Sequence, residues 1–291
     1  MTHDNHPILK AAITGSCAIA EQVTGGLFLE NIKMERQRTS LPYPQLVSST
    51  LRQGFAGFEA GLWPWGIVLG LTKGTVLGYS RAKLMSLFSK YTHWDKHTSS
   101  IAAGFGAGAV QGAFMSPVLL ARTRVNKALA EKTAKGIKAD WLLEMKLSGT
   151  VLSQAIRAEG PRVLLSGMGP CVIKRSLDWG VRFLFIESIQ TAIRDHTHQP
   201  LTTGQKLASI FAGGIASVFV TMPLDRLMPL LQAGPSKEGS IAALKSKFRS
   251  EGFSTMFKGG LFRCLHTGWH TSFTIFVADA VVEHLVHKKS N

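Results

Sequence analysis

Pro223-Leu-Asp225-Arg226-Leu-Met228-Pro229-Leu-Leu-Gln232 and Glu251-Gly252-Phe-Ser-Thr-Met-Phe257-Lys258-Gly259 bound the stretch on which the fold turns. A proline is followed two residues later by an acid. After a polar link comes an acid–glycine pair, with a second glycine seven residues on. Upstream runs the apolar segment Leu207–Thr221, downstream Leu261–Val286. The pattern recurs. Pro117-Val-Leu119-Leu-Ala-Arg122-Thr-Arg124-Val-Asn126 leads to Glu159-Gly160 and Gly167. Phe28-Leu-Glu30-Asn-Ile-Lys33-Met-Glu35-Arg36-Gln37 leads to Gln53-Gly54 and Gly61. Beyond the second glycine stand Pro64, Pro170 and Phe262 in one register. A long fixed period marks tandem units that bury their faces against one another; at roughly 100 residues each unit holds two long helices and a linker. The units run over 1–97, 98–199 and 200–291.

Composition bounds the class. The chain is 45% apolar with only 18% charged residues, and it carries 29 glycines. Its helices mix apolar and polar faces, as suits a bundle with lipid outside and water within. The net charge of +15 fits an anionic membrane surface, an anionic substrate or nucleic acid. Cys17, Cys171 and Cys264 are widely separated, so neither a disulfide framework nor a metal spacing is implied. Met1-Thr-His-Asp-Asn-His-Pro shows no basic n-region, so no cleaved targeting signal is expected.

Six segments are long enough to cross a bilayer, which takes about 20 helical residues. They lie near Leu9–Arg38, Leu62–Lys90, Ser99–Lys127, Gly167–Arg194, Thr203–Leu231 and Leu261–His287. Glu, Lys, Arg and His interrupt several of them. Gly104, Gly106, Gly108 and Gly112 on the third, with Gly213, Gly214 and Ala216 on the fifth, allow close backbone approach in lipid. The linkers Thr39–Arg52, Ala134–Glu159 and Pro235–Ser250 are polar and partly amphipathic, with surface helices expected at Leu142–Ile156 and Ile241–Phe248. The connections Tyr91–His97 and Asp195–Thr203 are short. Three helix pairs with both termini on one side follow.

The triple signature of proline, acid, base and paired glycines resembles that of the mitochondrial carrier family, over essentially the whole chain. Departures are Phe28 for proline, Gln53, Leu119 for the acid, and Met228 for the base. The resemblance implies an all-α fold: six transmembrane helices in a barrel of threefold pseudosymmetry, with short surface helices on the matrix side. It implies the mitochondrial inner membrane, both termini on the cytosolic side, a monomer, one central site and two alternating gates. It also implies no cofactor, and an anionic lipid such as cardiolipin at the matrix-side helix ends. In such carriers the acid of each odd helix pairs with the base of the next. Carried over, this pairs Glu30 with Arg122 and Asp225 with Lys33, and sets Leu119 on Met228. Losing both members of the third pair leaves an apolar latch rather than an unpaired buried charge, which costs several kcal/mol. Gln37, Asn126 and Gln232 stand one turn beyond the bases as braces. On the cytoplasmic side the register holds only Arg81, Glu187 and Asp279, so one ion pair of Arg81 with either acid, and a weak gate, is expected.

The register of Pro64, Pro170 and Phe262 places the central residues. Lys73, Lys174, Arg175, Arg182 and Arg263 near the membrane midplane are expensive unless they face water or a ligand. Clustered cations there describe an anion site, with the planar Arg fork suited to carboxylate or phosphate. An internal pair of Asp178 with Arg182 is the structural alternative, and His266 and His270 are either ligands or hydrogen-bonded core residues. Gly61-Leu-Trp-Pro-Trp65 with Leu71-Thr-Lys73-Gly74, and Ile173-Lys-Arg175 with Asp178-Trp179-Gly-Val-Arg182-Phe, look like the citrate–oxoglutarate branch. There a glutamine is usual where Arg175 stands, an arginine where His266 stands, and an acid where Leu69 stands.

The implied function is exchange of a small anionic metabolite, a di- or tricarboxylate first. A carrier of nucleotides or other phosphorylated cofactors is the alternative, disfavoured by Lys174-Arg175 where such carriers show a glycine–aliphatic pair. Outside transport, a basic membrane-associated nucleic-acid-binding protein is permitted by charge alone, but the cations are scattered without a recognition helix, and nucleic acid is not the expected partner. No phosphate loop, metal spacing or nucleophile motif marks an enzyme; Gly104-x-Gly106-x-Gly108 lies inside an apolar helix, where packing explains it.

Overall fold

The computed structural model describes residues 7–38, 41–52, 66–134, 141–165, 168–232, 249, 257 and 259–290. Among them there is no strand. The helices are α1 (Pro7–Glu21), α2 (Leu27–Arg38), α3 (Tyr43–Arg52), α4 (Ile67–Tyr91), α5 (Lys96–Ala134), α6 (Trp141–Glu159), α7 (Met168–Thr197), α8 (Thr203–Gln232), α9 (Gly260–Thr271) and α10 (Ala278–Ser290). A π turn at Gln22–Gly26 joins α1 to α2, and another at Ser272–Val277 joins α9 to α10. With those junctions the described residues form six long rods, each lying within or overlapping one of the expected segments.

Local chemistry explains the boundaries. The Asp95 carboxylate accepts the backbone N–H of His97 at 3.0 Å and of Thr98 at 3.3 Å, capping α5. These bonds, Thr98 foremost, hold the Asp95 carboxyl below its usual range. Thr202 and Gln205 cap α8 reciprocally, each side chain accepting the other's backbone N–H. Gly160, at φ 78°, ends α6 with its N–H on the Ile156 carbonyl, a left-handed cap that glycine adopts without strain. Bends arise differently in different repeats. Pro117 lies inside α5 without ending it, whereas the first rod, with Phe28 in the proline's place, breaks at Gly25, whose φ is 135°.

The rods close into a ring. α1 packs on α4, α4 on α5, α5 on α7, α7 on α8 and α8 on α9; α2 meets α9, and α1 meets α10 and its π turn. Small residues make this possible. A Cβ on Gly112 of α5 would stand 2.7 Å from the Val172 Cα of α7, and one on Gly213 of α8 2.8 Å from the Ile186 N. Helix backbones therefore touch, as the glycine runs of the third and fifth segments anticipate. The α3 helix, read from sequence only as a polar linker, seats Leu46 in a cluster with Ile32 and Phe262, and stacks Tyr43 on Phe262 at 5.1 Å. The expected surface helix over Leu142–Ile156 is α6; that over Ile241–Phe248 lies outside the described residues.

Large apolar side chains stand on the outer surface while several polar groups are buried. Phe114, Ile173 and Phe219 are 63%, 60% and 62% exposed, while Glu21, Gln111, Asp178 and Thr271 are buried. Exposed aromatic and aliphatic groups outside, with polar groups within, are what a lipid surround selects. By length and apolarity, the segments Lys96–Arg122 and Thr203–Met222 qualify as spans among the described residues. The remaining rods are long enough, but charged residues lower their mean hydropathy, and many of those charges belong to the interior.

Candidate functional site

Two groups of charged side chains meet inside the ring. The first lies where the first and last rods close. Glu21, fully buried at the end of α1, sets Oε2 3.2 Å from His270 Nδ1 and Oε1 3.6 Å from His266 Nε2. The helix period places those histidines one above the other on α9, their rings parallel with centroids 6.0 Å apart. Lys73 of α4 brings Nζ to 3.4 Å from the same His270 Nδ1. Trp269 Nε1–H donates to the Glu21 carbonyl at 3.4 Å.

The second group is built on α7. Asp178 holds Lys174, one turn earlier, at 2.8 Å and Arg263 of α9 at 3.7 Å. The Arg182 guanidinium stacks over the Trp179 ring at 4.3 Å. Trp179 links the groups. Its ring lies 5.9 Å from that of His270, and its N–H donates to Gln111 Oε1 at 2.9 Å, while Gln111 Nε2 donates to the Lys73 carbonyl at 2.8 Å. Arg175 lies within electrostatic reach of both Lys73 and His270. The structure thus draws Lys73, Lys174, Arg175, Arg182, Arg263, His266 and His270 into one neighbourhood. It adds Glu21, Gln111 and Trp179, which the sequence reading left out. The signal for Glu21 was present: it follows the uncharged run Ala11–Ala20 in the first segment, and an ionisable group within a span is a site by default.

Toward the end of the ring where α2 and α5 carry their bases, Glu30 feels the charges of His266, Lys33, Arg122 and Lys73. Glu30 and Arg122, expected to pair, thus share one electrostatic environment with Lys33 among them. The side chains of Gln37, Asn126, Asp225, Met228 and Gln232 lie outside the described residues, so the partners expected for Lys33 and Leu119 do too. A link not foreseen in the sequence is a two-pronged bond from Arg124 to Glu159, at 2.6 and 3.0 Å, tying α5 to the end of α6. That bond lowers the Glu159 pKa.

The opposite end corrects an expectation. Arg81 pairs with neither Glu187 nor Asp279; it donates to Ser100 Oγ at 3.3 Å and lies over the Phe183 ring at 4.2 Å. Asp279 pairs with Lys10 at 2.8 Å, joining α10 to α1, and Glu187 lies 3.9 Å from His97. The physical reason is ring closure: α10 abuts α1, which puts Lys10 nearer to Asp279 than the sequence register alone indicates. The expected single Arg81 pair is therefore replaced by a link between the first and last rods.

Comparison with known proteins follows this geometry. The profile of the mitochondrial carrier protein family matches residues 93–197 and 199–289, each a pair of long rods with its intervening segment. The chain is 24% identical over 262 residues to the mitochondrial aspartate-glutamate transporter of Saccharomyces cerevisiae, covering 84% of this chain and 28% of that protein. It is 26% identical over 221 residues to the mitochondrial glycine transporter of Aspergillus fumigatus, covering 72% of this chain and 61% of that one. Against the mitochondrial basic amino acids transporter of Bos taurus it is 27% identical over 172 residues, 57% of this chain and 54% of the relative. The chain thus spans less than two thirds of the length of each of these relatives. With two profile matches covering most of its length and an all-helical ring to hold them, this chain belongs to the mitochondrial carrier family.

Proposed function

We propose that this protein is a solute carrier of the mitochondrial inner membrane that moves small anionic metabolites by alternating access, di- and tricarboxylates such as oxoglutarate and citrate first. The observation that carries this reading is the gathering of Lys73, Lys174, Arg175, Arg182 and Arg263 around buried polar groups inside a ring whose outer face is apolar. These cations outnumber the acids Glu21, Glu30 and Asp178, and an anion supplies the missing charge. In this reading the chain works as a monomer by exchange, without a catalytic group or cofactor. Both termini face the cytosolic side, and anionic lipid such as cardiolipin sits at the matrix-side helix ends.

A second reading within transport has its own support. Buried acids stand beside the cations, and a substrate bearing both carboxylate and ammonium would meet both. The names of the relatives, which include aspartate-glutamate, glycine and basic amino acids, point the same way. Reconstitution in liposomes separates the readings. Homo-exchange is measured for oxoglutarate, malate, citrate, aspartate, glutamate, phosphate and nucleotides. Exchange of the non-amino carboxylates, lost in the double variant Lys174→Ala with Arg175→Ala, is the expected result. Exchange confined to amino acids moves the assignment to the second reading, and undiminished exchange in the double variant refutes the site.

A further inference from the structure

The group at the closure of the ring contains a nitrogen that serves two neighbours with one position. His270 Nδ1 lies 3.4 Å from Lys73 Nζ and 3.2 Å from Glu21 Oε2. If Nδ1 accepts a hydrogen from the Lys73 ammonium, its lone pair is committed and it has no proton to give Glu21. Two acceptors then face each other across 3.2 Å. If Nδ1 instead carries a hydrogen toward Glu21, Lys73 has lost its acceptor there. His266 Nε2 is farther from the carboxylate, at 3.6 Å, and among the described residues neither Glu21 oxygen receives a hydrogen bond although Glu21 is fully buried. Among the same residues His266 Nδ1 and His270 Nε2 are buried without a hydrogen-bond partner as well. One additional proton, on Glu21 or on an imidazole, satisfies the contact that the present set leaves short.

The surroundings say when that proton would arrive. The charged and titratable groups facing this cluster are Lys73 from α4, Arg175 and Arg182 from α7, Glu30 and Lys33 from α2, and His266 and Arg263 on α9 beside His270. The Glu21 carboxylate and the Lys73 ammonium offset one another, so with neutral imidazoles the cluster itself carries no net charge. An anion entering beside it lowers the positive potential of the surrounding cations and so favours a proton on Glu21 or on an imidazole. Binding of the anion and of the proton then favour each other by the same factor, as linkage requires.

We propose that Glu21, His266 and His270 form a proton-binding site that takes up one proton with each substrate anion, so that this carrier co-transports protons. This rests on the reading of the ring as an anion carrier and adds a second cargo to it. The step is a simple acid–base one. An O–H bond forms at Glu21, or an N–H bond at an imidazole, with a proton from water on one side, and the same bond breaks to water on the other. No redox partner is involved. Lys73 is the positioning residue that holds His270 Nδ1.

The test uses the full chain in substrate-free liposomes loaded with pyranine, so that labelled oxoglutarate enters by net uptake; paired exchange of two protonated anions would carry no net proton. A lumen-alkaline gradient of about one pH unit is expected to raise uptake several-fold, up to about tenfold for one proton per anion, with the lumen acidifying in step. In Glu21→Gln the ratio of uptake with and without the gradient falls to about one. In parallel, infrared titration of the purified protein is expected to show a buried carboxylic acid band that Glu21→Gln removes and His270→Gln displaces in pH. Oxoglutarate uptake indifferent to the gradient, with no change in lumen pH, overturns the proposal; so does a carboxylic band that survives Glu21→Gln. If oxoglutarate is not taken up at all, the transport reading fails separately, and the infrared titration still decides whether Glu21 binds the proton.

Discussion

The two charged groups inside the ring use similar ingredients to opposite ends. On α7, Asp178 faces Lys174 and Arg263. At the closure, Glu21 faces His266 and His270, with Lys73 behind. Both acids are buried, and nitrogen groups approach each of them. The difference lies in what those nitrogens are. Around Asp178 they are an ammonium and a guanidinium that meet the carboxylate directly. Around Glu21 they are imidazoles, each of which can either donate or accept a hydrogen. One chamber therefore holds a cation-paired acid and an imidazole-faced acid, joined through Trp179 and Gln111.

The sharpest way to break this contrast is to remove the fixed charges. Replacing Lys174 and Arg175 together by alanine is expected to lower exchange about 100-fold or more, each lost charge-assisted contact being worth roughly 1.5–3 kcal/mol. A loss of less than a few-fold would make the two groups equivalent. Next comes Asp178→Asn, which takes the carboxylate from half-buried Lys174 and buried Arg263. Such changes destabilise by about 3–5 kcal/mol, so a clear fall in thermal midpoint is expected, measured in detergent. An unchanged midpoint would mean that Asp178 is not the anchor of its group. Trp179→Phe has a middling effect: it removes the donor to Gln111 and weakens the stacking of Arg182, about 1–3 kcal/mol in all. Coupling between the groups is tested by combining it with Glu21→Gln. Additive effects would show that Trp179 does not join them.

Glu159→Gln sits outside the chamber and is the control with the smallest effect. The Glu159 carboxyl is held below its usual range by Arg124. Its contribution is therefore present above the ordinary carboxylate range and disappears as pH falls through the lowered value. Because Glu159 is exposed, a small shift of thermal midpoint is expected at neutral pH and none in acid. A shift that grows on acidification would reverse the sign of the link.

Much of the frame was legible in the residues. Recurrent glycines and apolar runs placed the six rods, because helix length and close packing are local properties of sequence. The shared register of the even segments brought Lys174, Asp178, His266 and His270 into the reading of the centre. Ring closure was less accessible. Glu21 and Trp269 meet across 248 residues, and no local pattern in either announces the other. The same closure diverted Asp279 from Arg81 to Lys10. The bend of the first rod was hidden too: with Phe28 in place of proline, the break moved to Gly25, where only the backbone's freedom marks it. Helix α3 escaped notice because its core contact rests on Leu46 and Tyr43 within a polar linker.

The central claim is that the charged groups face an aqueous chamber while the apolar belt faces lipid. It is tested most directly by thiol accessibility in proteoliposomes, after replacing Cys17, Cys171 and Cys264 by serine. A water-borne, membrane-impermeant thiol reagent is expected to label Arg175→Cys, with labelling suppressed by the transported anion, and to leave Phe219→Cys unmodified. Labelling of Phe219→Cys together with an inert Arg175→Cys from both sides of the membrane would contradict it.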